Sequence, residues 1–313
     1  MNPPLANGSV SLRLYPHDVD AVQQLALIRG QAARGAEIGY DGVMVSEHHA
    51  DFPGYLPNPT QLAGFLLDAM PSGWAAPCPL LLPMKPYALV AEDLAWLAAA
   101  YPGRVGAGFA AGALPVDFEL AEVPFDEIIE RFKDSLPRTV AALRGTDDTP
   151  LAADRAIART ATDPMPMVVA AQSPGAVRRA ARLGIGILYD SLAPAPLTAK
   201  LNDIYTEAGG TGARIAIRRV WIGDPPNEEM AAQMAHYHSY APDAAKKNWD
   251  GDQLIAAPTA GEAAERLGDF LEAAHCDTVN VRIHVNGLTP AQVDEQLDRH
   301  RGEFLDTLRG RLA

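Results

Sequence analysis

The chain is poor in cysteine, carries an excess of acidic side chains and has no long apolar run. Cys78 and Cys276 are its only cysteines, too far apart in sequence to suggest a metal site or a disulfide framework. This usage predicts a reducing, cytoplasmic location. A formal net charge of -13 over 313 residues argues against nucleic acid or an anionic membrane as a partner. No segment reaches the ~18 apolar residues of a membrane span, and no signal peptide is expected.

Two further motifs are missing. The segment Leu14-Tyr15-Pro16-His17 follows the first predicted strand and lacks the glycines that would cradle a dinucleotide pyrophosphate. No two histidines stand four residues apart on a predicted helix, where they would anchor a metal ion. His17 or His284 could supply a further ligand to a metal ion near Glu47, but no such pair of histidines anchors the site. No metal site is therefore predicted, and a metal-dependent hydrolase is the least favoured function.

Eight apolar, strand-like runs alternate with helical patterns along the chain. They cover residues 10–14, 43–46, 77–84, 105–109, 167–171, 185–189, 214–222 and 278–285. Such alternation is typical of a parallel sheet, and eight units favour a closed (β/α)8 TIM barrel, here a single domain over residues 1–313. An open doubly wound sheet is the alternative. The extended connection after the seventh strand, residues 224–258, is a candidate lid.

The second predicted strand ends in Glu47-His48-His49. Barrels carry their chemistry at the C-terminal ends of strands, so Glu47 and His48 are candidate catalytic residues. A neutral imidazole titrates near working pH, which suits His48 to acid–base work with support from Glu47. His49 is less favoured, because neighbours along a strand point to opposite faces. A polar rim without function is the alternative.

Two prolines mark further candidates. Ser173-Pro174-Gly175 predicts a helix start whose free backbone N–H groups bind phosphate, although a plain N-cap is the commoner use of serine. Pro79 follows Cys78 near the end of the third predicted strand. The cis form is far less costly before proline than before other residues, and a proline that simply ends a loop is the alternative.

Several short motifs, in this order, resemble the bacterial luciferase-like monooxygenase family over nearly the whole chain. They are Glu47-His48-His49, Asn58-Pro59, Leu82-Pro83, Ala91–Leu94, Gly103-Arg104-Val105, Val123-Pro124-Phe125 before Arg131, the Ser173 cap, Ala181–Gly184, the predicted Thr259 capping box and Glu262–Leu267. The resemblance implies a (β/α)8 barrel that binds reduced FMN, or a deazaflavin in some branches. It also implies oxidation of a small organic substrate with O2, electrons from a separate NAD(P)H-dependent flavin reductase, and a homodimer.

The resemblance also implies a set of cofactor-binding residues. Ser173 corresponds to a serine that contacts the flavin phosphate. Cys78–Pro79 corresponds to a cis peptide bond that forms a shelf under the isoalloxazine ring, so the resemblance implies that the Cys78–Pro79 bond is cis. The full expected set is Ser173, Gln172, Cys78, Pro79, Gly108, Phe109, Ala110 and Ala111. Many family members have a phosphate-binding arginine where this chain has Ala110 and Ala111, so we expect Arg178, Arg179 or Lys85 to supply the missing charge.

The favoured function is therefore a flavin-dependent monooxygenase. A deazaflavin-dependent hydride-transfer oxidoreductase on the same barrel and a non-catalytic flavin-binding protein are the alternatives. An apolar substrate is expected, because the residues predicted near the mouth are mostly apolar, namely Leu12, Phe52, Tyr55, Leu56, Phe109 and Trp221.

Overall fold

The computed structural model describes residues 1–50, 52, 54–240 and 254–313, and a parallel β-barrel forms its centre. Its strands are β1 (Val10–Arg13), β2 (Gly42–Val45), β3 (Trp74–Pro77), β4 (Leu80–Leu81), β5 (Ala107–Ala110), β6 (Met167–Ala170), β7 (Gly186–Tyr189), β8 (Arg214–Ile222), β9 (Leu254–Ala257) and β10 (Thr278–Arg282). Hydrogen-bonded neighbours follow the order β3-β2-β1-β10-β8-β7-β6-β5-β4, and a bridge between Ala75 and Val105 links the two ends. The predicted (β/α)8 barrel is confirmed.

Two short strands share the third position of the barrel. β3 pairs with β2, whereas β4 pairs with β5. The peptide bond between them, Cys78–Pro79, is cis, as the family resemblance implies. The predicted third strand, residues 77–84, is therefore wrong in its bounds, because the extended backbone begins at Trp74 and is interrupted after Pro77.

The long connection after β8 contains two regular elements. A helix covers Asn227–Tyr240, and β9 pairs in parallel with the end of β8. Residues 254–257 of the candidate lid therefore form a regular strand within the sheet. The rest of the predicted lid, residues 241–253, lies outside the described residues, so the lid stays a prediction.

Helices surround the barrel, and several of them begin at side-chain caps. They are α1 (Ala21–Ile38), α2 (Pro59–Ala69), α3 (Tyr87–Ala100), α4 (Pro115–Leu120), α5 (Ile128–Ala142), α6 (Arg155–Arg159), α7 (Pro174–Leu183), α8 (Ala195–Glu207), α9 (Asn227–Tyr240), α10 (Ala260–Ala273), α11 (Pro290–His300) and α12 (Glu303–Leu312). Asp20, Asn58 and Ser173 accept backbone N–H groups at three of these helix starts, and the cap at Ser173 is the one considered from the sequence. Thr259 caps α10, but Glu262 bonds Arg266, and the complete capping box lies at Thr289.

Arginine side chains hold several loops by their backbone carbonyl oxygens. Arg218 of β8 donates to the carbonyls of Ser191 and Ala193 in the loop after β7, and its guanidinium lies 3.7 Å above the ring centroid of Phe270. The same kind of contact recurs around the barrel, from Arg104 to Gly73 and Met70, from Arg144 to Leu183 and Gly184, and from Arg299 to Ile222. Charged donors therefore fix loop backbones directly.

The lower barrel interior is filled by side chains. Met44, Trp74 and Ala76 pack there with apolar residues of β6, β7 and β8. Gly42 leaves room for the indole, because a Cβ at that position would lie 2.1 Å from a Trp74 ring atom. These side chains occupy the interior below the C-terminal ends of the strands. None of the described helices is long and apolar enough to cross a membrane.

Candidate active site

A cavity of about 690 Å³ opens at the C-terminal ends of the strands. Its wall includes the last residues of six strands, namely Arg13 of β1, Leu81 of β4, Ala110 of β5, Ala170 of β6, Tyr189 of β7 and Arg282 of β10. The volume falls in the range of small-molecule and cofactor sites. Both predicted catalytic residues, Glu47 and His48, line this cavity.

His48 forms a dyad with a residue that the sequence did not single out. Its Nδ1–H donates to Oδ2 of Asp117 at 2.7 Å, and Asp117 is completely buried at the start of α4. The other carboxylate oxygen of Asp117 accepts the backbone N–H of His49 at 2.8 Å. A carboxylate on Nδ1 fixes the tautomer in which Nε2 carries the lone pair. No described residue bonds Nε2, so that atom is free to exchange a proton in the cavity.

Glu47 has a different role from the expected support of His48. One of its oxygens accepts the backbone N–H of Leu81 at 2.6 Å, and the other lies 3.3 Å from Nε2 of His49. This hydrogen bond is the largest cause that raises the pKa of His49 above its ordinary value. The expectation that Glu47 supports His48 is therefore corrected: the carboxylate partner of His48 is Asp117, while Glu47 ties β4 to the end of β2.

The cis bond lies directly beside the cavity. Pro79 and Leu81 line the wall, whereas Cys78 is buried behind it. Gly108 packs against Cys78, because a Cβ at Gly108 would lie 2.1 Å from the Cys78 sulfur. Phe109 is also fully buried in the core. Of the expected ring-binding residues, Pro79 reaches the cavity surface, while Cys78, Gly108 and Phe109 lie beneath it.

One end of the cavity combines a helix start with two cations. Ser173, Gly175 and Ala176 of the α7 N-terminus line it, and a Cβ at Gly175 would meet no atom within 4 Å. Gln172, Ala110 and Ala111 line the same cavity. The cations are Arg179 and Lys133, and neither Arg178 nor Lys85 is among the lining residues. Helix N-termini and guanidinium groups both bind phosphate, so the residues at this end fit a phosphorylated cofactor.

The opposite, inner end is aromatic and basic. Tyr55 lies edge-on to His48 with 4.4 Å between ring centroids, and Tyr15 lies edge-on to Tyr55 at 5.3 Å. The Arg282 guanidinium stands 4.0 Å from the centroid of Tyr15 and donates to the Tyr237 hydroxyl at 3.0 Å. A continuous series of side chains therefore joins His48 to a buried cation.

The family model for luciferase-like monooxygenases matches residues 10–306. The chain belongs to the luciferase-like monooxygenase family. It is accordingly an oxidoreductase, and its cavity occupies the face at which a barrel of this family carries its chemistry. Comparison with curated proteins found no match.

Solved structures similar to this family member share its fold. The monooxygenase RslO1 from Streptomyces bottropensis has a TM-score of 0.77 at 17% identity, covering 95% of this chain and 99% of its own. The oxygenating constituent of 3,6-diketocamphane monooxygenase from Pseudomonas putida, solved with FMN, has a TM-score of 0.74 at 17% identity, covering 96% and 98%. An F420-dependent secondary alcohol dehydrogenase has a TM-score of 0.62 at 18% identity, covering 96% and 100%. FMN and F420 thus both occur on this fold.

The apolar lining of this luciferase-like barrel differs from the one expected. Tyr55 lines the cavity, but Leu12, Phe109 and Trp221 belong to the buried core. The apolar wall comes instead from Leu81, Leu114, Ile129, Phe132, Leu188, Leu192 and Ile217. Alternation along a strand predicts which side chains point into the barrel. It does not predict which of these side chains are buried in the core and which line the cavity.

The histidines considered for a metal site lie apart from the dyad. His17 and His284 contact each other with 5.0 Å between ring centroids, and His17 bonds Gln31 and the Leu288 carbonyl. Burial lowers the pKa of both imidazoles. Within the described ranges, no group of three histidine, cysteine or acidic side chains is arranged to hold a metal ion.

Proposed function

We propose that this luciferase-like family member is an FMN-dependent monooxygenase that oxidises a small, largely apolar organic substrate with O2. When bound, reduced FMN supplies the electrons that activate oxygen. The observation that carries the proposal is the His48–Asp117 dyad beside the Pro79–Leu81 wall, in a cavity with a phosphate-binding end. The dyad offers a proton acceptor, and the wall offers an apolar surface for a planar ring.

His48 acts at Nε2. Asp117 holds the proton on Nδ1, so Nε2 accepts a proton from the reacting system and the resulting imidazolium is stabilised by the buried carboxylate. Glu47 has a structural role, because its hydrogen bond with the backbone N–H of Leu81 fixes the wall against which the flavin ring would lie. The apolar side chains Phe132, Leu114 and Ile129 exclude water from the same space.

The FMN phosphate is assigned to the α7 end of the cavity. Arg179 and Lys133 supply the charge that an arginine at Ala110 or Ala111 supplies in many relatives. Arg178 provides a matched control, since it is the neighbouring residue on the same helix, is exposed and does not line the cavity.

Flavin binding tests this assignment. We expect Arg179→Gln to weaken FMN binding about tenfold, as measured by quenching of flavin fluorescence, because a charge-assisted contact is worth roughly 1.5–3 kcal/mol. Riboflavin lacks the phosphate, so its affinity is expected to be the same in Arg179→Gln and in the parent. Arg178→Gln is expected to leave both ligands unchanged. Equal losses for FMN and riboflavin would contradict the phosphate assignment.

The runner-up function is hydride transfer with a deazaflavin on the same barrel. The F420-dependent neighbours share the fold, which supports this second candidate. Titration with FMN and with F420, followed by oxygen uptake on addition of reduced cofactor, separates the two. Tight F420 binding without oxygen uptake would favour the deazaflavin enzyme.

Three further parts of the proposal concern partners and location. We propose that reduced FMN comes from a separate NAD(P)H-dependent flavin reductase, and that the enzyme is a cytoplasmic homodimer. Exposed apolar side chains on α2 and α3, Phe65, Leu89 and Trp96, support a contact between two copies. Light scattering of the purified chain tests the dimer, and oxygen uptake with and without an added reductase tests the electron supply.

A further inference from the structure

Three arginines stand side by side at the top of the barrel interior. In the parallel ladders, Arg13 of β1 is the register partner of Arg282 of β10, which is the partner of Arg219 of β8. Their exposed fractions are 2%, 1% and 0%. Like charges in directly neighbouring positions of a sheet repel one another, and burial strengthens the repulsion. A negative charge near the three arginines would therefore stabilise them.

Two arginines of this row, Arg13 and Arg282, line the cavity, and neither has a carboxylate partner among the described residues. Arg13 donates from Nη2 to the Cys78 carbonyl at 3.1 Å, and its buried Nε has no partner. Arg282 donates to the His284 carbonyl at 2.8 Å and to the Tyr237 hydroxyl. Among the described residues, no ion pair joins either guanidinium to an acid. Arginine keeps its charge at any working pH, so the inner end stays positive.

The two acidic residues in the cavity wall, Glu47 and Asp190, already accept other hydrogen bonds. One carboxylate oxygen of Glu47 accepts the backbone N–H of Leu81, and the other lies 3.3 Å from Nε2 of His49. Asp190 accepts the Leu192 N–H at 2.7 Å, and burial raises its pKa. A buried cation without a counter-ion is destabilising unless an anion arrives to pair with it. The inner end thus has the charge, the donors and the open space for an anionic group.

The hydroxyl of Tyr237 lies at the same place and accepts hydrogen bonds from Arg282 and Arg219. Burial raises the pKa of its phenol, but the guanidinium groups of Arg282 and Arg219 outweigh burial, and the pKa is lowered on balance. A more acidic hydroxyl is a stronger donor to an oxygen placed beside it.

We propose that Arg13, Arg282 and Tyr237 form an oxyanion subsite, which takes the carboxylate or sulfonate of a substrate whose apolar body lies against Leu188 and Ile217. The proposal rests on the proposed FMN-dependent function, because it assigns the other end of the cavity to the cofactor. A planar guanidinium matches the paired oxygens of such a group. The Tyr15 and Tyr55 rings stand between Arg282 and His48, so the acid group is a handle remote from the atom that is oxidised.

Calorimetric titration of the FMN-saturated protein tests the subsite. The probes share one apolar body and differ in the end group: octanoate, octane-1-sulfonate and octan-1-ol. In the parent, at least tenfold tighter binding of the two anions than of the alcohol is expected. Arg282→Gln is expected to remove that preference while changing octan-1-ol and FMN binding less than twofold. Arg104→Gln is the matched control, since Arg104 also bonds backbone carbonyls but lies outside the cavity.

Two more conservative variants keep the subsite testable if Arg282→Gln does not fold. Tyr237→Phe keeps the ring and is expected to weaken the anions several-fold, and Arg282→Lys is expected to retain part of the preference. Equal binding of anions and alcohol by the parent would overturn the subsite. So would an Arg282→Gln protein that loses FMN affinity and keeps the anion preference, since the arginines would then serve the flavin. If the parent does not bind FMN, the proposed function fails, and the same titration without FMN still decides the subsite.

Discussion

The buried carboxylate of Asp117 accepts a hydrogen bond from Nδ1 of His48 at 2.7 Å across 69 residues of sequence. The second oxygen of the same carboxylate accepts the backbone N–H of His49. Asp117 therefore sets both the tautomer of one histidine and the backbone position of the next. The proton-exchanging atom of His48 depends on a residue from another loop of the barrel.

Replacement of Asp117 by Asn is expected to abolish the fixed tautomer of His48. The amide can still accept the His49 N–H, so the loop is kept, but the negative charge is lost. We expect the proton-dependent step to slow by about 100-fold, the lower range for general acid–base catalysis. Nitrogen NMR of the imidazoles reports the tautomer, and stopped-flow absorbance reports reoxidation of bound reduced FMN. His48→Asn and the double variant should lose no more than this, because the pair acts as a unit. Additive losses would contradict that view.

Replacement of Glu47 by Gln is expected to lower the pKa of His49. Its hydrogen bond to Glu47 is the main cause that raises this pKa, with a further electrostatic contribution from the same carboxylate. A raised pKa in the folded state stabilises the protein at low pH, and this stability is lost as the pH rises through the folded value. Proton NMR titration of the imidazole measures the shift. His275, an exposed histidine paired with Asp203, is the internal reference and should not move.

His300 is expected to make the fold sensitive to acid. It is completely buried, and burial lowers its pKa to about 3. Between the unfolded value near 6.5 and this folded value, the unfolded chain binds a proton that the folded chain does not, so stability falls as the pH falls. Relative to neutral pH, this histidine alone removes about 2 kcal/mol at pH 5.

Urea unfolding at several pH values measures this effect. His300→Gln keeps an acceptor for Tyr40, whose hydroxyl lies 2.7 Å from Nδ1, and should flatten the slope between pH 7 and pH 5. His275→Gln removes an exposed histidine and should leave the slope intact. The same slope in His300→Gln as in the parent would show that other groups cause the acid sensitivity.

Gly108→Ala is expected to destabilise the protein by about 1–3 kcal/mol or more, the cost of overpacking a close-packed core. The new Cβ would lie 2.1 Å from the Cys78 sulfur and 2.9 Å from its Cβ. The control is Gly30→Ala in α1, where nothing lies within 4 Å, and it should stabilise by about 0.5–1 kcal/mol through helix propensity. Thermal unfolding measures both changes, and partial rescue by Cys78→Ala would identify the sulfur as the clashing atom.

Sequence patterns predicted the barrel and the residues at strand ends. The run Gly42–Val45, its turn and its polar end are local, so Glu47 and His48 could be placed at the cavity without any knowledge of their neighbours. The N-cap at Ser173 is likewise local and is confirmed. The cis bond at Cys78–Pro79, which the family resemblance implied, is confirmed as well, and proline makes it accessible.

Partners from distant segments could not be predicted. Asp117 stands in a short helix with nothing in its immediate sequence to distinguish it from a solvated carboxylate. The arginine row was also missed, although Arg13 and Arg282 each end an apolar strand. A basic residue in such a position is a signal that sequence reading can use, but the register that sets Arg13 beside Arg282 exists only in the folded sheet.

The contacts from arginines to loop carbonyls have a consequence for how this barrel can diversify. Arg218 recognises the main chain of Ser191 and Ala193, and every amino acid offers the same carbonyl oxygen. Residues 190–192 contribute directly to the cavity wall. Their side chains can therefore change by mutation while Arg218 still binds the loop backbone. Substrate preference can change during evolution in this way without disruption of the barrel.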